Sequence, residues 1–245
     1  MTRELCNVIR LSFTALLSLA VACGAASMTA AASAGDTCGI SVTTSAPATV
    51  ADVAALRVSP TADSQYRLAL AYAVGTVVPH DCREAATLMA KAAEAHIGAA
   101  ETGLGEMYAA GRGVPSSDAE ATRWFSAAND ARDAHGAYEL GLFIAQGRAK
   151  GDVVVSSHQA GNQSFSSSDV LHSRSGAGPN WSVVATLWQR SADLGDARAA
   201  YDLGQLYESG QGVPVDVERA VALYRTAAAG GITAAQTRLS ELGRQ

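Results

Sequence analysis

Residues able to do chemistry are sparse in this chain. The five histidines are His80, His96, His135, His158 and His172. None begins a His-Glu-x-x-His zinc pair. His80 and Asp81 precede Cys82, but adjacent donors without a further ligand do not close a metal shell, and Asp81 reads as a helix N-cap. His158 and His172 lie in a polar stretch without cysteines or paired carboxylates, which describes a solvated loop. Lys91 and Lys150 both follow alanine, so no Gly-Lys phosphate loop exists. Leu88 and Gly147 stand where the serine of a Ser-x-x-Lys nucleophile would be, and no Gly-x-Ser-x-Gly elbow occurs. Gly103-x-Gly105-x-x-Tyr108 lacks the third glycine of a dinucleotide loop. These residues predict no catalytic centre, no metal and no cofactor.

Recognition chemistry is better represented. Three acidic residues and an amide stand on first-helix positions that the buried stripe does not use: Glu139 and Asp202, which are equivalent, with Gln205 and Glu208. With Tyr138 and Leu142 they make a polar, partly aromatic face suited to a protein or peptide partner carrying a basic or amide-rich segment. The same polarity fits a solvated helix face. The cysteines Cys38 and Cys82 form an even pair once a leader is removed, and in an oxidising compartment they would make one disulfide.

A repeat positions these residues. Leu104-Gly105-Glu106-Met107-Tyr108-Ala109-Ala110-Gly111-Arg112-Gly113-Val114-Pro115 returns as Leu203-Gly204-Gln205-Leu206-Tyr207-Glu208-Ser209-Gly210-Gln211-Gly212-Val213-Pro214. Gly75, Gly111, Gly147 and Gly210 are equivalent, spaced 36, 36 and 63 apart, so the third unit carries about 27 extra residues. Within each unit a first helix stacks its Leu and Tyr on one face, and the glycine between them admits a neighbour. The Gly-x-Gly-Val-Pro segment stops that helix. Asp81, Ser117 and Asp216 cap a second helix with an alanine stripe and one bulky residue: Ala85 with Leu88, Ala121 with Trp124, Ala185 with Trp188, Ala220 with Leu223.

This Leu-Gly-x-x-Tyr-x-x-Gly-x-Gly-Val pattern, followed by Ala-x-x-Trp and Ala-Ala, resembles the Sel-like repeat (SLR) family, relatives of the tetratricopeptide repeat, over about residues 64–245. The resemblance implies an all-α, right-handed αα-hairpin solenoid of about four repeats closed by a C-terminal capping helix. It also implies a concave groove lined by the first helices, and it places Trp124 and Trp188 in the core. Non-catalytic roles follow: adaptor of an envelope assembly, host-binding factor or inhibitor of an exported toxin. A hydrolase or β-lactam-binding protein and a purely structural scaffold are the alternatives.

Composition agrees with binding rather than nucleic-acid work. The 245 residues carry a net charge of −5 at pH 7, and two lysines make no basic stripe. Residues 1–34 read as a signal peptide: Arg3 and Arg10, an apolar run from Leu11 to Ala22, then Ala32-Ser33-Ala34. Cys23 in Ala20-Val21-Ala22-Cys23 offers a lipidation site, the one route to a membrane. Periplasmic or secreted location follows from either reading. Residues 35–60 form an N-terminal arm with a short helix beginning at Pro47, and 61–245 form the solenoid. A polar insertion at about 149–179 is expected to be loop, with a short β-like run at Asp152–Val155.

Overall fold

The computed structural model describes residues 37–41, 49–150, 152–154, 170–172 and 179–243. The leader at 1–34 with Cys23, Pro47, and most of the insertion, with His158, lie outside the described residues. Described residues all belong to one compact unit, Asp36–Gln245.

That unit is a row of helical hairpins. After α1 (Val50–Val58) come α2 (Ala62–Val74) with α3 (Cys82–Glu94), α4 (Gly98–Ala110) with α5 (Asp118–Asp130), α6 (Ala134–Ala145) with α7 (Trp181–Asp193), and α8 (Ala197–Ser209) with α9 (Val217–Ala229). Each helix packs on the next, and α10 (Thr233–Glu241) closes the far end against α9. Helices α4 and α6 also touch directly, and side chains of α6 hydrogen-bond to α8, so these three first helices form an inner row.

Local chemistry explains the boundaries. Asp81, Ser117 and Asp216 each accept from backbone N–H groups of the helix they open, meeting donors that the first turn leaves free. At the end of α8, Gly210 takes φ 74°, a left-handed cap that residues with a Cβ adopt at a cost. Helix α1 begins at Val50 behind a Thr49–Asp52 capping box rather than beside Pro47, because the reciprocal cap satisfies two backbone donors at once.

One contact recurs through the stack. A Cβ placed on Gly105, Gly141 or Gly204 would lie 2.6, 2.4 or 2.7 Å from the rings of Phe125, Trp188 or Tyr224. The second helix therefore lays a ring directly on the backbone of the first. This corrects the register read from the sequence in two repeats. Phe125 and Tyr224 are fully buried there, whereas Trp124 and Leu223 are only half-buried. Trp188 does occupy the core position. The ring must fall four residues after the buried Ala121 or Ala220 to reach the glycine, one full turn along the same face. Burying each such side chain stabilises the hairpin by about 1.5–3 kcal/mol.

The insertion is not all loop: the β-like run expected at its start is a strand, and it has a partner. β1 (Asp152–Val154) and β2 (Val170–His172) pair antiparallel, with Val153 opposite Leu171. Ala149 and Val153 are buried, and β1 packs on α5. Val153 joins the core cluster holding Phe125 and Phe143, so the start of this segment contributes apolar burial that its polar composition conceals.

Candidate functional site

The inner row brings together a buried polar cluster from three helices. Glu106 comes from α4, His135 and Glu139 from α6, and Arg198 and Asp202 from α8, with Asp196 as the α8 cap. His135 and Glu139 are one helical turn apart and share a face. The His135 Nε2–H donates to Glu106 Oε1 at 2.8 Å, and Nε2 lies 3.8 Å from Glu139 Oε1. Arg198 donates to His135 Nδ1 at 2.6 Å while pairing with Asp196 at 2.7 Å. Tyr138 donates its hydroxyl to Asp202 at 2.9 Å, and the Arg198 guanidinium sits 4.8 Å above the Tyr138 ring. The backbone N–H of Ser41 donates to the other oxygen of Glu106 at 2.7 Å, so the N-terminal arm braces the cluster.

Electrostatics here are unbalanced. The side chains of His135, Glu106 and Glu139 are 7%, 9% and 19% exposed. Burial raises the pKa of Glu139, and the neighbouring Glu106 adds to the rise against the opposing His135. Burial likewise raises that of Asp202, although the Tyr138 hydroxyl pulls it down. For His135, burial disfavours the imidazolium, yet the hydrogen bond to Glu106 and the charges of Glu106 and Glu139 outweigh it, and the pKa rises. The Arg198 contact opposes protonation, since a donor facing Nδ1 needs a bare nitrogen there. The described geometry is therefore the neutral imidazole, and an imidazolium requires Arg198 to turn away.

Beside this cluster a pocket of about 310 Å³ opens among Glu106, Glu139, Leu142, Phe143, Gln146 and Arg148. Arg148 is held by Asp118 at 2.6 Å and by the Ala109 carbonyl at 3.1 Å, over the Phe143 ring. Two carboxylates, an amide, a guanidinium and apolar carbon share its lining.

The six residues singled out from the sequence do not form one surface. Glu139 and Leu142 line the pocket. Tyr138 is buried and Asp202 half-buried, spent on each other. Gln205 is exposed and donates to the Tyr201 hydroxyl. Glu208 is bound by both Arg238 of α10 and the Tyr224 hydroxyl. The reading of these acids as residues that stacking does not need is corrected for Asp202 and Glu208: each ties one helix to another. The hydrogen bonds from Arg238 and Tyr224 hold the Glu208 pKa low. Of the acids that suggested a basic partner, only Glu139 keeps an uncommitted carboxylate.

His135 and Glu106 went unselected in the sequence, because His135 matches no metal motif and Glu106 sits where other repeats carry leucine or glutamine. The usable signal was His135-x-x-x-Glu139, two ligand types one turn apart. Cys38 and Cys82 are disulfide-bonded, with Cα atoms 5.4 Å apart, and the His80 Nε2 lies 3.3 Å from the Cys38 sulfur. The bond fastens the arm to the first residue of α3.

Comparison with known proteins accords with this geometry. The Sel1 repeat family matches residues 62–96, 98–133 and 197–232, which are the first, second and fourth hairpins. No curated protein matches the sequence. A Sel1 repeat protein from Oxalobacter formigenes superposes with a TM-score of 0.60 at 28% identity, over 75% of this chain and 65% of that one. A protective antigen of uropathogenic Escherichia coli strains displaying an SLR fold superposes with a TM-score of 0.61 at 22% identity, over 78% of this chain. This chain spans 65% and 36% of the lengths of those two proteins. Among the described residues no helix is long and apolar enough to cross a membrane. The chain thus carries three Sel1 repeats on an SLR fold, and Sel1-repeat proteins are generally modules for protein–protein interaction.

Proposed function

We propose that this protein is an exported interaction module that binds an extended protein or peptide segment along the inner row of α4, α6 and α8. The observation that carries the reading is the pocket among Glu139, Leu142, Phe143 and Gln146. It offers an apolar seat for one side chain next to an amide able to meet a backbone. A segment seated there meets the second and third hairpins and can run on along α8, a common use of solenoid surfaces. Export is supported by the leader-like residues 1–34 and by the disulfide, a bond that persists in oxidising compartments. An adaptor of an envelope assembly and an inhibitor of an exported toxin are both roles of this kind.

A photo-crosslinking residue placed at Leu142 or Gln205 tests the surface. The expected outcome is one discrete adduct from envelope extract at both positions and none from the exposed Thr87 on α3. Equal labelling from all three positions would defeat the reading. N-terminal sequencing tests export: the mature chain should begin at Gly35, and a chain beginning at a lipidated Cys23 would instead establish an anchored protein.

A further inference from the structure

We infer that Glu106, His135 and Glu139 form a binding site for a divalent transition-metal ion of the zinc class, with its open coordination position facing the pocket. This goes beyond the interaction module proposed above and does not depend on it.

The geometry is the first argument. One donor atom from each of the three residues lies within 4.8 Å of the others. Separations of 2.8 and 3.8 Å from His135 Nε2 bracket the edge of a zinc tetrahedron, about 3.3 Å for ligand bonds near 2.0–2.1 Å. His135 and Glu139 occupy one helix face at i and i+4, and Glu106 arrives from the facing helix, so rigid elements rather than a loop set the spacing. One imidazole with two carboxylates suits zinc, manganese or iron better than calcium, which takes six to eight oxygens.

Charge is the second argument. Glu106, Glu139, Asp196 and Asp202 gather around His135 and Arg198 in a largely buried space, Arg148 at the pocket is held by Asp118, and Glu139 receives no hydrogen bond among the described residues. Carboxylates crowded this way call for a cation between them. The pocket supplies both a route in and room for a water or a partner's donor atom at the fourth position.

Surrounding residues fit the role of a supporting shell. Ser41 N–H fixes the far oxygen of Glu106. Asp196 Oδ2 stands 3.9 Å from His135 Nδ1. On loading, the proton on Nε2 leaves to solvent, Nδ1 takes one up, and Nδ1–H turns to Asp196, giving the carboxylate–histidine–metal arrangement common at such sites. Arg198, 42% exposed, contacts His135 through the same Nη2 that holds Asp196 Oδ2, so on loading it swings that nitrogen out while Nε keeps Asp196 Oδ1. The second cluster of donors, Cys38, His80 and Cys82, does not compete, because its sulfurs are joined to each other.

The test is titration of chelator-stripped, disulfide-bonded protein with Zn²⁺ by calorimetry and with Co²⁺ by visible absorption. One equivalent should bind, with cobalt d–d bands. Glu139→Gln and His135→Gln should each weaken binding at least tenfold, and Asp196→Asn, a positioning residue, by about tenfold. His80→Ala should bind as the parent does. Glu139→Gln removes a buried charge and should melt no lower than the parent, so its loss of metal cannot be unfolding. The inference is overturned if the parent takes up neither ion at millimolar concentration. It is also overturned if Glu139→Gln binds like the parent, or if His80→Ala abolishes binding.

Discussion

The third and fourth hairpins solve the same packing problem with different connections. In the fourth, seven residues (210–216) carry the chain from α8 to α9 through the Gly-x-Gly-Val-Pro turn. In the third, the chain leaves α6 at Gln146, hooks Arg148 onto Asp118 and Ala109 of the preceding hairpin, buries Ala149 and Val153, and reaches α7 only at Trp181. Both pairs nevertheless close with a ring on a glycine, Trp188 on Gly141 and Tyr224 on Gly204. The hairpin is thus specified by the close approach of two helices, and the connection is free to do other work. In the third hairpin that work is fastening α6 to the second hairpin, beside the pocket.

The largest expected effect lies at those rings. Trp188→Ala or Tyr224→Ala should cost about 3–5 kcal/mol, the range for emptying a buried aromatic site. Trp124→Ala should cost less, about 1–2 kcal/mol, because that ring is only partly buried, beneath Arg123. Urea unfolding of the three variants measures this, and equal losses would contradict the register described above.

Deleting residues 152–177 probes the connection itself. Nine residues remain between α6 and α7, enough for a span that seven cross in the fourth hairpin. A cooperative melt should persist, with stability reduced by about 1.5–3 kcal/mol for the lost burial of Val153. No loss would show that Val153 adds nothing; complete unfolding would show that the hairpin depends on the insertion after all.

Reversing Glu139 and Asp202 to lysine sharpens the contrast between exposed and committed acids. Read as groove surface, the pair should be silent. In the structure the change leaves the Tyr138 hydroxyl unpaired and crowds Arg198, so a loss of about 1–3 kcal/mol is expected. Circular dichroism melts decide between the two.

The smallest effect is pH dependence. Glu139, Asp202 and His135 have folded pKa values above their ordinary 4.5, 3.8 and 6.5. The folded state therefore binds more protons, and stability should rise as pH falls from neutral toward 5. The His135 contribution is complete below 6.5 and lost as pH rises through its raised value. Glu208 is lowered, so its contribution is present above 4.5 and fades as acid protonates it, ending the gain at low pH. Thermal melts from pH 8 to 4 check this, and Glu139→Gln should flatten the rise.

The repeat, its hairpins and their caps were legible in the residues alone. Leu104-Gly105 and Leu203-Gly204 with their stop turns, and the Asp81, Ser117 and Asp216 caps, act within one or two turns of chain, so local spacing suffices to read them. Which ring reaches the glycine was not legible. Trp124 and Phe125 are adjacent, and only the facing helix selects between them. Nor was the Glu106–His135–Asp196 cluster, whose members stand 29 and 61 residues apart and meet because α4, α6 and α8 stack edge to edge. The same stacking turned Glu208 from a groove acid into the anchor of α10. Short-range sterics and hydrogen bonding leave their mark in consecutive residues, whereas the angle at which one hairpin settles on the next depends on every side chain between them, and that angle decides which distant charges become neighbours.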